Sequence, residues 1–377
     1  MIYNRFFICF FIVCAVSSCN QQREHEGTAA STIEIPVELK GPARPTGISL
    51  YDMFEKPQVI QVNPEEPISY IYELKYVRGR YYLTDFYRKG IIVFDDSGQV
   101  LLKLFKKGRA DYEYLSMECF DVNPANGEIN IYDINRRRIV VYSESGEFLR
   151  SIPLGEHVRI FNDFAVKEDG SFLVYIAFGP AEEPRGLVAV DAEGTFLETL
   201  APLDDDFRHT LVYVPYQNFH RLSDGTVTVR GEQDKNEIYH VSPDGLLTIP
   251  FHLCFDVIWS KELRATERPS MGSDSDYYNV PEYFETDHWL GVKVRYQEKY
   301  SIFFYNKDTG RLYSGRSSEK GTLKGLIEKG EHDPVFTGYS AGDRLMHVYN
   351  PSNSDPSIED NTIFVKVYKE KCVSPAG

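Results

Sequence analysis

Cysteine is scarce where it would count. Six are present, but Cys9, Cys14 and Cys19 fall in the first nineteen residues, leaving Cys119, Cys254 and Cys372 for the folded part. An odd three excludes a disulfide scaffold, and isolated buried thiols with at most one bridge are expected. Long apolar runs are missing too: the best, Phe6 to Val16, has about eleven residues, against the roughly 20 a membrane-spanning helix needs. Basic charge is thin. Lys and Arg number 41 against 56 Asp and Glu, the net charge is -15, and the longest basic block is Arg136-Arg137-Arg138. No nucleic-acid partner is expected, because neutralising phosphates takes a concentrated basic face. The chain also lacks an HExxH, a paired-histidine spacing, a Cys-x-x-Cys and a Gly-x-Ser-x-Gly elbow. Neither a locally encoded zinc site nor a serine nucleophile is written into any one segment.

The start of the chain reads as an export signal, with Arg5 before the apolar run and then Val16-Ser17-Ser18-Cys19. Small residues ahead of a cysteine resemble a bacterial lipobox, so Cys19 is the expected lipidation site and Asn20 to Gly27 a polar tether.

Beyond it the chain repeats. Turns rich in Asp and Ser end in Gly98, Gly146, Gly194, Gly245 and Gly310, spaced 48, 48, 51 and 65 residues apart. Glycine supplies the positive φ of a tight hairpin, and the acidic or hydroxyl residues before it bond the turn backbone. One unit shows the pattern plainly: Cys119 to Val122, Ile129 to Tyr132, Ile139 to Tyr142 and Phe148 to Leu154, four short strands in about 37 residues. A period near 50 made of such strands indicates a β-propeller. The expected fold is therefore all-β, a six-bladed propeller with four-stranded antiparallel blades. The last unit offers three strands, Val335 to Tyr339, Leu345 to Tyr349 and Thr362 to Tyr368, while Gln58 to Val62 stands unpaired ahead of the first blade. That N-terminal strand is expected to join the last blade and close the ring, removing an open edge. The domain plan is a lipoprotein signal over 1–19, a tether and N-terminal segment over 20–47, the propeller over 48–370 and a tail over 371–377. Residues 253–282 read as a polar insertion, with a short helix near Trp259 to Thr266.

These features resemble the six-bladed β-propeller lipoproteins of Bacteroidetes, relatives of NHL-repeat propellers, over roughly 48 to 370. The lipobox carries the resemblance together with Ile131-Tyr132-Asp133-Ile134-Asn135-Arg136-Arg137-Arg138-Ile139, which is similar to an NHL core, and the ending Asp360 to Val365. The loop Gly108-Arg109-Ala110-Asp111-Tyr112-Glu113-Tyr114 keeps the first Gly and the Glu-Tyr end of a family motif but lacks its Gly-Pro. The resemblance implies a surface or periplasmic binding role on the outer membrane, and it marks Arg109, Glu113 and Tyr114 as candidate ligand-binding residues.

Propeller sites are assembled from separate blades, so spacing cannot reveal them. Aligning the innermost strands places Asp121, Ala165 and His220 in register, with Asp163 slightly earlier and His288 near the same level. Two functions follow. One is a noncatalytic, lipid-anchored, monomeric binding or scaffold module for a glycan or protein, with no cofactor. The other is a metal-dependent hydrolase or lyase, like the propeller lactonases and amidating lyases, holding a divalent ion through Asp121, Asp163, His220 and His288. The aromatic abundance, 26 Tyr and 24 Phe, is expected to serve mostly as contacts between blades.

Overall fold

Runs of β-branched and aromatic residues separated by glycine turns pair their backbone most simply as antiparallel hairpins. The computed structural model describes residues 31–41, 48–65, 68, 71–85, 90–158, 160–161, 163–177, 183–203, 217–231, 235–259, 276–317, 338–349 and 362–371. Cys19, Cys372 and the expected helical stretch beyond Trp259 lie outside them.

The described residues open with β1 (Ile33–Val37), a 3-10 turn (Leu50–Asp52) and β2 (Gln58–Val62). Blade one is β3 (Ile71–Val77), β4 (Arg80–Asp85), β5 (Gly90–Phe94) and β6 (Val100–Leu104). Blade two is β7 (Met117–Val122), β8 (Ile129–Asp133), β9 (Arg138–Tyr142) and β10 (Phe148–Pro153). Blade three is β11 (Asp163–Val166), β12 (Phe172–Ile176), β13 (Gly186–Val190) and β14 (Phe196–Pro202). Blade four is β15 (Phe219–Arg221), β16 (Val227–Arg230), β17 (Glu237–Val241) and β18 (Leu247–Phe255). Blade five is β19 (Tyr278–Glu285), β20 (Trp289–Tyr296), β21 (Lys299–Asn306) and β22 (Leu312–Arg316), and blade six starts with β23 (Tyr339–Ala341), β24 (Arg344–Tyr349) and β25 (Ile363–Lys369).

The sixth blade is completed by β2, which pairs antiparallel with β25 so that Ile60 faces Val365 and Val62 faces Ile363. The ring therefore closes as its strand count required. Six hydrophobic cores follow, each shared by two neighbouring blades. The core between blades six and one, with Ile60, Val62 and Val365 against Leu74, Tyr81 and Phe94, is of the same kind as the others. Tyrosine does much of this packing: Tyr81, Tyr82, Tyr132 and Tyr142 are fully buried, and Tyr81 stacks on Phe94 with ring centres 5.1 Å apart.

Two turn glycines show why the repeat is strict. Gly98 has φ +83, and a Cβ there would come within 2.0 Å of the Gln61 carbonyl oxygen on β2. Gly194, at φ +87, would meet the Pro153 carbonyl at 2.4 Å. The turn that ends one hairpin is thus also the contact with the preceding blade's outer strand.

The expected insertion is shorter than 253–282. Strand β18 runs on to Phe255 and β19 starts at Tyr278. Pro281 reads against a strand and hides the start of β19, while β18 passes through Pro250. Each lies beside a register shift, between Ile238 and His240 on the partner of β18 and between Asn279 and Glu282 on β19, where its missing N–H is accommodated. The N-terminal segment also holds an unforeseen element. Strand β1 adds to the outer edge of blade four, parallel to β18, with Ile35 opposite Leu253 and Val37 opposite Phe255. Ile35 and Val37 are buried there. Asp256 accepts the N–H groups of Leu39 (2.6 Å) and Lys40 (2.9 Å), and Arg316 donates to the carbonyls of Glu38, Leu39 and Gly41.

Candidate functional site

The first strand of each blade lines the axis, where β7 meets β11, β23 meets β3, and β15 meets β11, β19 and β23. At its centre lies a cavity of about 30 Å³ lined in part by Lys75, Asp121, Ala165, His220, Arg221 and Ser340. That is room for a water or two. One end is narrowed by backbone bonds between turns, Gly342 N–H to Arg221 carbonyl (2.8 Å) and Asp287 N–H to Gly342 carbonyl (3.0 Å).

Charge in this wall is paired internally. Lys75 Nζ sits 3.0 Å from Glu73 Oε1 and 3.2 Å from Asp121 Oδ1. Asp121 Oδ2 accepts the Val166 N–H at 2.8 Å and meets Arg221 Nη2 at 3.3 Å. Burial pushes the Glu73 carboxyl up to about 8 against the pull of Lys75, so Glu73 is mostly protonated at neutral pH. Asp163 accepts from the N–H groups of Phe164 (2.8 Å), Asn218 (2.7 Å) and Phe219 (3.2 Å), tying blade three to blade four. Its carboxyl is raised by burial, with the Lys75 charge and these N–H groups opposing.

His220 bonds Ser340 Oγ through Nδ1 at 2.8 Å and meets Tyr283 edge to face, with ring centres 5.0 Å apart. Burial depresses its pKa to about 4, so it is neutral. Tyr283 donates to Glu285 Oε2, and Glu285 Oε1 meets His240 Nε2 at 2.9 Å and Lys307 Nζ at 3.0 Å. Burial opposes ionisation of Glu285, but the bond from His240 and the charge of Lys307 hold it down to about 2.

Of the expected metal ligands, Asp121 and His220 do share the cavity wall, as their register required. The set as a whole does not converge. His288 is an exposed turn residue paired with Asp308 at 2.7 Å, and Asp163 is committed to backbone N–H groups. Among the described residues, no three of Asp121, Asp163, His220 and His288 bring ligand atoms within 4.8 Å of one another.

The loop from Gly108 to Tyr114 is braced from within. Glu113 Oε2 accepts the Ala110 N–H at 2.8 Å. Tyr114 is fully buried, and its hydroxyl donates to the Leu104 carbonyl at 3.3 Å. Arg136 donates to the carbonyls of Arg109 and Ala110, and Arg138 to that of Glu113 at 2.7 Å. The arginine block therefore holds this loop, and of the three candidates the Arg109 side chain alone is exposed.

A different group of residues keeps buried side-chain atoms without partners among the described residues. Where β16 ends, the Arg230 guanidinium is 2% exposed, and among the described residues its Nε and Nη1 meet no acceptor. Tyr175, Tyr278, Tyr283 and Tyr277 lie near enough to act on its charge. Beside it, Asn218 donates to the Arg230 carbonyl at 3.1 Å. The side-chain oxygens of Gln217, Asn218 and Asn279 are buried without a donor among the described residues. All lie at the end of blades four and five where the inner strands begin. Buried groups of this kind need an explanation, because leaving each unpaired costs about 1–3 kcal/mol.

The family profile described as "Domain of unknown function (DUF4934)" matches residues 35–372. The chain belongs to the DUF4934 family. No curated protein matches its sequence. Among solved structures, a Bacteroides fragilis protein described as exported is similar with a TM-score of 0.70 at 16% identity, covering 90% of this chain and all of its own. A DUF4221 member from Bacteroides vulgatus has a TM-score of 0.53 at 10% identity, covering 84% of this chain and 98% of its own. At these identities the likeness is one of fold.

In the DUF4934 chain the axis carries more charge than the sequence suggested. Glu73, Lys75, Arg221 and Glu285 carry no motif, and alternation in Tyr72-Glu73-Leu74-Lys75-Tyr76 reads as polar outward. On an innermost strand the polar side faces the axis. Arg230 left one signal, a charge closing the otherwise uncharged, β-branched Val227-Thr228-Val229.

Proposed function

We propose that this propeller is a noncatalytic recognition module of the cell envelope, held to the outer membrane by a lipid on Cys19, that binds an acidic glycan over blades four and five. The observation that carries this reading is Arg230. A guanidinium stays charged at any physiological pH, and a buried one whose Nε and Nη1 meet no acceptor among the described residues is matched by a carboxylate reaching it from outside. Flanking tyrosines and the Gln217, Asn218 and Asn279 amides suit sugar rings and hydroxyls. A metal-dependent hydrolase or lyase would need Asp121, Asp163, His220 and His288 gathered around one ion. Their side chains are instead engaged separately, and the axial cavity is too small for a sugar.

The test is a binding assay of the purified protein against uronate-bearing and neutral oligosaccharides, with product analysis of the same mixtures. Preferential binding of the uronate-bearing set is expected, weakened at least tenfold in an Arg230→Gln variant that still melts cooperatively. Equal binding of neutral sugars, or full affinity in a folded Arg230→Gln, would count against it. Release of shortened products would favour an enzyme, and capture of a protein alone would favour a protein-binding scaffold.

A further inference from the structure

The parallel pairing of β1 with β18 places three metal-ligating side chains together on the outer edge of blade four, one of them more than 200 positions from the other two. Glu34 lies directly opposite His252, and Pro36 opposite Cys254. On a strand, residues two apart share a face, so His252 and Cys254 point the same way, opposite to the buried Phe251 and Leu253. One carboxylate oxygen of Glu34, one ring nitrogen of His252 and the Cys254 sulfur all lie within 4.8 Å of one another. Cys254 Sγ is 3.6 Å from His252 Nδ1. Around a tetrahedral zinc ion, with bonds of about 2.3 Å to sulfur and 2.0 Å to nitrogen, the sulfur-to-nitrogen edge is about 3.5 Å. The two donors already stand at that spacing, and the third approaches from the neighbouring strand.

We propose that Glu34, His252 and Cys254 form a binding site for a zinc-type divalent ion that clips the N-terminal strand β1 to the propeller. Thiolate, imidazole and carboxylate together favour zinc over magnesium or calcium, which prefer oxygen alone. Three protein ligands leave one position for water. Binding replaces the Cys254 S–H bond by a metal–sulfur bond, and the displaced proton goes to solvent. Burial and the Glu34 charge raise the thiol pKa in the metal-free protein, and a bound dication reverses that balance. The site lies beside the Asp256 and Arg316 contacts that already fasten 38–41, so the ion would complete a strap across the edges of blades four and five. It does not involve the axial candidates Asp121, Asp163, His220 and His288, and it stands independently of the glycan reading.

Cobalt(II) titration of the chelator-treated full-length protein tests the site. A thiolate-to-cobalt charge-transfer band saturating at one equivalent and displaced by zinc is expected. The band should be absent in Cys254→Ser, and affinity should fall at least tenfold in Glu34→Gln and His252→Asn. Cys119→Ser should keep the band, because Cys119 is buried between blades two and three. Alkylation provides a readout without mutation: zinc should protect Cys254 in the wild type. The proposal is overturned if no band forms, if it survives in Cys254→Ser, if Glu34→Gln and His252→Asn bind as the wild type does, or if zinc leaves alkylation of Cys254 unchanged.

Discussion

His220 shows how one buried side chain sets a pH limit. The folded ring holds its pKa near 4, against an ordinary 6.5, so an unfolded chain takes up the proton first. Its contribution is complete above about pH 6.5 and is lost as pH falls through 4, a total of about 3 kcal/mol. Glu285, held near 2 against 4.5, adds a second loss lower down, complete above 4.5 and gone as pH falls through 2. Glu73 acts in the other direction. Raised from 4.5 to about 8, its contribution is full below 4.5 and disappears as pH rises through 8. Melting temperature against pH should therefore fall on both sides of a maximum. Between about pH 6.5 and 4.5 the His220 loss and the Glu73 gain oppose each other, so in His220→Asn the melting temperature should rise as pH falls through that window while the lower limb persists, and a window unchanged from the wild type in a folded variant would contradict the assignment.

At the scale of turns and strands, glycine positions differ by what stands behind them. Gly79 has φ +76 and nothing within 4 Å of where a methyl would sit, whereas Gly98 at φ +83 backs onto the Gln61 carbonyl. Gly79→Ala should cost about 1 kcal/mol for the backbone alone. Gly98→Ala should cost about 2 kcal/mol more, since the outer strand of blade six must shift. Urea melts of the two variants make the comparison, and equal costs would show that the turn does not bear on its neighbour. The same turns explain what was legible in the sequence. The glycine repeat, the apolar third strands such as Ile139-Val140-Val141 and the spare Gln58 to Val62 specify blades and closure together. Where proline interrupted a strand, at Pro281, or where polar residues faced the axis rather than solvent, at Glu73 and Lys75, local pattern misled. The Glu34, His252 and Cys254 group was invisible for another reason, since it exists only once β1 lies against a strand more than 200 positions away.

Across the whole molecule, the two N-terminal strands serve different ends. Strand β2 closes the ring, whereas β1 thickens the edge of a blade that is already four-stranded. Deleting 58–62 removes the buried Ile60 and Val62 and leaves blade six three-stranded, so cooperative melting should vanish. Deleting 33–37 should lower the melting temperature and leave one cooperative transition. Calorimetry separates these outcomes, and a deletion of 58–62 that still melted as one unit would show that the ring holds without its seam. The pairing of Ile60 with Val365 also dates the last step of folding. The two residues lie roughly 300 positions apart, so the early strand is synthesised long before its partner. Until then it is a bare edge in a crowded compartment. A holding chaperone, or rapid delivery of the rest of the chain, becomes a requirement of this protein's biogenesis rather than a convenience.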